Sequence, residues 1–189
     1  MSGRHTVIRS LHDLGLAAWF GGSLMGAVGL NGGARQEGAT DAAKARIASA
    51  GWTKWMPVSA AAIGAHLYGG SGLLAVNAHR IAKQKGVASS SAAKTVVTAA
   101  ALAASCYARV LGRKVELASS VDPHDLEEAA QHPFDADKAQ RQLACVQWVV
   151  PALTGCLVVL NALQGEQQRP LEQLHGVWDH ARSTVPLMH

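Results

Sequence analysis

The sequence predicts an all-α protein, a polytopic membrane four-helix bundle with short interfacial helices in its connectors. Two observations predict this fold class. Four stretches contain no Asp, Glu, Lys or Arg, at residues 14–34, 56–79, 95–108 and 142–165. The first, second and fourth are long enough to cross a hydrocarbon core about 30 Å thick, which takes roughly 20 helical residues. The charges are concentrated in the connectors instead of forming the polar face of a soluble helix.

The first membrane helix is expected at residues 11–32, because Asn31-Gly32-Gly33 is typical of a helix end. Its Gly22-x-x-x-Gly26 spacing predicts a smooth face on which another helix could pack closely.

The second membrane helix is expected at residues 56–79, after a polar connector with its own short amphipathic helix. Trp52 and Trp55 precede this apolar stretch with a lysine between them, a pattern that indicates a bilayer interface. Pro57 suits the first turn of the second helix.

The third and fourth membrane helices are expected at residues 94–112 and 142–164. The third is the shortest, and it needs Arg109 to extend its charged group to the interface. The long acidic connector between them should hold a short helix that begins at Asp122-Pro123 and ends before Pro133. A further helix from Asp135 or Asp137 should run unbroken into the fourth membrane stretch.

Residues 1–189 form a single integral membrane domain with a polar tail at residues 165–189. Four crossings place both termini on one side, and the short, purely basic second connector favours the cytoplasm for that side. The expected location is therefore the cell inner membrane. A soluble Ala-rich helical bundle is the alternative, but its helices would have no polar face.

Ionisable groups inside a bilayer are costly, so His66 and His12 are the candidate cofactor-binding residues. His66 lies near the middle of the second helix, where an imidazole could bind haem or copper or could hydrogen-bond a neighbouring helix. His12 lies near the start of the first helix, so the two histidines are expected at different depths. The identity of any bound metal is left open by the sequence.

No catalytic motif is visible in the chain. The three cysteines, Cys106, Cys145 and Cys156, have no zinc or redox spacing. The modest net charge of +4 comes without a basic stripe among aromatic residues, which excludes a nucleic-acid-binding protein.

The segment Leu-His-Asp-Leu-Gly-Leu-Ala-Ala-Trp-Phe-Gly-Gly at residues 11–22 resembles the opening helix of several small multi-pass families. They include the CopD-like copper-resistance membrane proteins and related four-helix families of unknown function. The shared pattern is His, six residues, Trp, any residue and Gly-Gly, and it implies that His12 would carry the function. The rest of the chain, including residues 140–143 and 165–170, is similar to an uncharacterised actinobacterial family of integral membrane proteins.

These observations favour a non-catalytic accessory subunit or scaffold of a membrane complex, with no cofactor. Its expected partners are the lipid bilayer and other membrane subunits, or a second copy that packs through the glycine faces. The alternative is a haem- or copper-handling membrane protein that uses His66 and possibly His12.

Overall fold

The computed structural model describes the backbone of residues 3–83 and 85–184 and the side chains of residues 6–76, 78 and 89–163. Over these residues the chain is all-helical, and only short connections separate the helices. The elements are α1 (Gly3–Met25), a π-helical turn (Gly26–Leu30), α2 (Asn31–Glu37), α3 (Asp41–Lys83), α4 (Lys85–Ser119), α5 (Pro123–Gln131) and α6 (Ala136–Thr184). The prediction of an all-α fold is therefore confirmed.

The four long helices form two closely packed pairs. α1 packs along α3, α4 packs along α6, and the contacts between the two pairs are less extensive. The α1–α3 pair is antiparallel, since Gly26 of the π-helical turn meets Trp52 at one end and Ile8 meets Gly72 at the other. One buried cluster consists of Trp19, Ala101 and Val150. A second cluster lies nearer the ends of the helices and consists of Ala45, Leu111, Val115 and Ala139.

The start of α3 lies beside the end of α4. The Arg46 guanidinium donates a hydrogen bond to the Ser119 carbonyl oxygen at 3.5 Å. The α2–α3 connection and the α4–α5 connection therefore lie at the same end of the molecule, which we call the connector end.

Three helical segments are long and apolar enough to cross a membrane, at Thr6–Glu37, Ser89–Ser119 and Ala136–Leu163. The third predicted stretch, expected to be the weakest, lies in the second of these segments. The second predicted stretch, at residues 56–79, does not reach the same apolarity over the described part of α3. Its glycines and the polar rings of His66 and Tyr68 reduce its mean hydropathy although it carries no charge.

Several predicted helix boundaries are wrong. The first helix does not end at residue 32, because a single π-helical turn carries it into α2 and on to Glu37. The connector before the second stretch is mostly helical, since α3 begins at Asp41 and Pro57 lies within it instead of in its first turn. Favourable packing of this segment on α1 outweighs the local preference of proline for a helix start.

The predictions for the last connector are confirmed. α5 spans Pro123–Gln131, and the Asp122 side chain caps it by accepting a hydrogen bond from the His124 backbone N–H at 2.8 Å. α6 then runs from Ala136 through the fourth apolar stretch without interruption. The helix also continues through most of the predicted polar tail to Thr184, where only the backbone is described.

The predicted Gly22-x-x-x-Gly26 face is used within the chain. The indole of Trp55 lies against Gly22 and that of Trp52 against Gly26, so closely that a Cβ at either glycine would clash with the ring. Both indoles are half-buried. The helix that packs on this predicted smooth face is therefore α3 of the same chain, through its two tryptophans.

Arg113 joins α4 to the acidic connector. Its guanidinium lies 2.8 Å from an Asp125 carboxylate oxygen and 2.7 Å from one of Glu128, and 3.4 Å from one of Glu116. The Ser120 hydroxyl donates a hydrogen bond to Asp125 at 2.6 Å. This hydroxyl and the guanidinium together hold the pKa of the Asp125 carboxyl below its usual range. α5 is thereby attached to the connector end by ion pairs between Arg113 and acidic side chains.

Candidate functional site

The two predicted histidines lie together, at the point where α1 crosses α3. His12 Nδ1 is 3.0 Å from the carbonyl oxygen of His66, and His66 Nδ1 is 3.0 Å from the carbonyl oxygen of His12. The imidazole rings stack with their centroids 4.1 Å apart and their planes inclined by 20°. Both residues are buried, with 7% and 3% of their surface exposed. The expectation that the histidines lie at different depths is therefore wrong.

The hydrogen bonds determine which ring nitrogens carry protons. A backbone carbonyl can only accept a hydrogen bond, so each Nδ1 must donate one. In the neutral ring the lone pair is then on Nε2. Each carbonyl belongs to a helix and uses its second lone pair for the histidine. The pair therefore satisfies two buried polar rings with two buried backbone groups.

Two glycines allow the helices to approach closely enough for this exchange. A Cβ on Gly15 would lie 2.5 Å from both the Ala62 carbonyl oxygen and the His66 backbone nitrogen. A Cβ on Gly69 would lie 2.5 Å from the His12 backbone nitrogen and 2.6 Å from the Ile8 carbonyl oxygen. Any other residue at either position would force the backbones apart.

The site is nearly symmetric, and the sequence contains a signal for it. Both helices carry the same His-x-x-Gly spacing, at His12 and Gly15 in α1 and at His66 and Gly69 in α3. In antiparallel helices the histidine of each copy reaches the backbone of the other, and the glycine of each copy contacts the other histidine. Sequence reasoning identified both histidines but missed this repeat. We call His12, Gly15, His66 and Gly69 the histidine–glycine crossing.

The indole of Trp19 lies beside the crossing. Its centroid lies 6.0 Å from that of His66 with an interplanar angle of 63°. Trp19 is itself buried, and its Nε1 donates a hydrogen bond to the Ser105 hydroxyl of α4 at 3.2 Å. The crossing is thus connected through one indole to the second helix pair.

The geometry of the crossing does not fit bis-histidine haem ligation. A haem would have to lie between the two rings, and the rings are in stacking contact with each other. Each Nδ1 is already bonded to a carbonyl, so only the Nε2 atoms could bind a metal. Among the described residues, no three His, Cys, Asp or Glu side chains form a group that could hold a metal ion. The arrangement is that of a structural contact between helices.

A second polar network joins three helices closer to the connector end. The Asn31 side-chain amide donates to the Gln147 side-chain oxygen of α6, and its oxygen accepts a hydrogen bond from Trp52 Nε1 at 2.9 Å. Asn31 follows the π-helical turn directly, and such a turn changes the direction of the side chains beyond it. The residue predicted to end the first helix instead connects α2 with α3 and α6.

The fold and the crossing define an all-α protein with three helices of membrane-spanning length and a paired histidine contact between its first two long helices. Comparisons with protein-family models, with curated proteins and with solved structures give no match for this chain. Any function proposed for this chain therefore rests on the geometry of its described residues.

Proposed function

We propose that the chain is a multi-pass integral membrane protein with four crossings that serves as a non-catalytic accessory subunit or scaffold of a membrane complex. The observation that carries the proposal is the apolar surface on all four long helices. Each of them carries exposed large hydrophobic side chains, for example Leu14, Leu67, Val96 and Val158, which are all at least 39% exposed. Surfaces of this kind mark contacts with lipid or with partner proteins.

Two contacts support α3 as the fourth crossing. Arg46 places the start of α3 beside the end of α4, at the connector end. From there α3 follows α1 back as far as Ile8. A helix that packs along a membrane-spanning helix over this length crosses the bilayer with it. The pairing of His66 with His12 lowers the cost of placing that polar ring within the membrane.

The role of a subunit or scaffold is supported by the surface that the fold leaves uncovered. Gly22 and Gly26 lie against tryptophans of the same chain, so they are not free for a second copy. Gly21 and Gly64, in contrast, have no atom within 4 Å of an added Cβ. We expect partner subunits to pack on the exposed apolar faces, in the inner membrane, with both termini in the cytoplasm.

Haem or copper handling through His66 and His12 is the alternative function. The crossing gives it no support, because the rings stack on each other and leave no space for a haem between them. Among the described residues, no group of three His, Cys, Asp or Glu side chains could hold a metal ion. We therefore expect the purified protein to contain neither group in stoichiometric amount.

The proposal is tested by purification from carbonate-washed membranes in a mild detergent. We expect the chain to stay in the washed membranes and to elute in a complex larger than one copy in its micelle. The sample should show no Soret band and no stoichiometric copper by mass spectrometry. Release by carbonate, a strictly monomeric protein, or a bound haem or copper that is lost in His66→Ala would each contradict the proposal.

A further inference from the structure

A cavity of about 610 Å³ lies between the two helix pairs, and the histidine–glycine crossing does not line it. This volume falls within the roughly 300–1,000 Å³ that is typical of small-molecule sites. All four long helices contribute to its wall, and the less extensive contacts between the pairs leave room for it.

The cavity is apolar at its inner end, near the middle of the helices. Trp19, Ile63 and Val150 form this end, and Trp19 and Val150 belong to a buried cluster. The serines Ser23, Ser59 and Ser105 also line the cavity. The Ser23 hydroxyl donates a hydrogen bond to the Phe20 carbonyl, and the Ser105 hydroxyl accepts the indole N–H of Trp19. Farther out, Trp52 and Trp55 add two more aromatic walls. This part of the cavity suits an apolar chain.

The cavity is cationic towards the connector end. The charged residues in its wall are Arg35, Lys44, Arg109 and Glu116, which gives three positive groups and one negative group. Arg109 is only loosely paired with Glu116, at 3.9 Å. Arg35 is exposed and forms no ion pair with any residue that the structure describes. Lys44 is paired with an exposed aspartate outside the cavity wall. An excess of positive charge therefore remains for a ligand.

The separation of the two ends matches an amphiphile. Arg35 follows Trp19 by sixteen positions in the sequence, which corresponds to roughly 24 Å along an α-helix. We infer that this cavity binds a single-chain lipid with one anionic headgroup, its acyl chain among Trp19, Trp52 and Trp55 and its carboxylate or phosphate beside Arg35 and Arg109. In the proposed membrane orientation the connector end lies at the interface, where lipid headgroups are found.

Gly112 offers a way to fill the cavity without disturbing the fold. It lies in the cavity wall, and a Cβ added there meets no atom within 4 Å. Gly64 has the same open surroundings but lies outside the wall, so Gly64→Leu is the matched control. For charge, Arg35→Gln combined with Arg109→Gln is compared with Lys138→Gln, an exposed lysine near the connector end that is not in the wall.

The test is native mass spectrometry of the detergent-purified full chain with palmitate or palmitoyl lysophosphatidate, with hexadecanol as the neutral chain and inorganic phosphate as the head alone. We expect a 1:1 adduct with one or both anionic lipids, and the stronger of the two identifies the headgroup. Hexadecanol should bind at least fivefold more weakly, and phosphate should give no adduct. Gly112→Leu should weaken lipid binding at least tenfold and the double arginine variant at least fivefold, with both controls unchanged.

Several results would overturn the inference. Equal binding of hexadecanol and palmitate would show an apolar cavity without headgroup recognition. Unchanged binding in Gly112→Leu would show that the lipid binds elsewhere. The absence of any saturable adduct would show that the cavity is not a lipid site. Because the measurement uses the purified chain alone, its failure leaves the proposed role as a subunit untouched.

Discussion

Gly15→Ala is expected to destabilise the protein by about 2–3 kcal/mol, as overpacking of a tight contact does. The added Cβ would lie 2.5 Å from the Ala62 carbonyl oxygen and from the His66 backbone nitrogen. Backbone atoms cannot rotate away as a side chain can, so the two helices must separate and the histidine hydrogen bonds must lengthen. This cost exceeds the gain in helix propensity of alanine over glycine, which is about 1 kcal/mol. Unfolding in mixed detergent micelles, followed by circular dichroism, measures the difference.

The control is Gly64→Ala on α3, where the added Cβ meets no atom within 4 Å. It should be neutral or more stable than the wild type, since only the propensity changes. A Gly15→Ala variant as stable as Gly64→Ala would show that α1 and α3 are not in backbone contact at this crossing.

His66→Leu is expected to cost about 2 kcal/mol, which combines one hydrogen bond of about 1 kcal/mol and a stacked ring pair of about 0.5–1.5 kcal/mol. The leucine cannot donate to the His12 carbonyl that His66 Nδ1 reaches at 3.0 Å. His66→Asn should recover at least part of the loss, because its amide nitrogen occupies a position close to Nδ1 and can donate the same hydrogen bond. The same unfolding assay compares the two variants.

An exposed histidine provides the matched control for this substitution. His132 lies after α5 and is exposed, so His132→Leu should leave the free energy of unfolding unchanged within about 0.5 kcal/mol. If His66→Leu behaved like His132→Leu, or if His66→Asn were no better than His66→Leu, the hydrogen bond would not hold the crossing together.

The helical class of the fold could be predicted from the sequence because it follows from local pattern. Uncharged stretches mark long apolar helices, and Asp122-Pro123 marks the start of α5. Helix ends were less predictable where tertiary contacts decide them. Asn31 is followed by two glycines, yet its side chain bonds to Trp52 and Gln147, and the helix continues.

The histidine–glycine crossing could be predicted only in part. The cost of placing an ionisable group inside a bilayer identified His66 and His12 as unusual residues. Their meeting depends on the register of α1 against α3, and a single apolar helix does not reveal its register. The repeated His-x-x-Gly spacing contains that information, because the two copies can pair only in antiparallel helices.

The proposed topology depends most on α3 as the fourth crossing, since α3 is the long helix that falls short in apolarity. If it crosses, residues 39 and 121 lie on the same side of the membrane, as the contact of Arg46 with Ser119 implies. If only the other three long helices cross, those two residues lie on opposite sides. The two arrangements therefore differ in one observable quantity.

The measurement is the labelling of single cysteines with a membrane-impermeant maleimide in intact cells and after permeabilisation. Ala39→Cys and Val121→Cys are introduced separately into a chain in which the three native cysteines are replaced by alanine. Ala39 is exposed, and 79% of Val121 is exposed, so both should be reactive wherever water reaches them. If α3 is the fourth crossing, both cysteines are labelled from the same side of the membrane. Labelling of one from each side would contradict it.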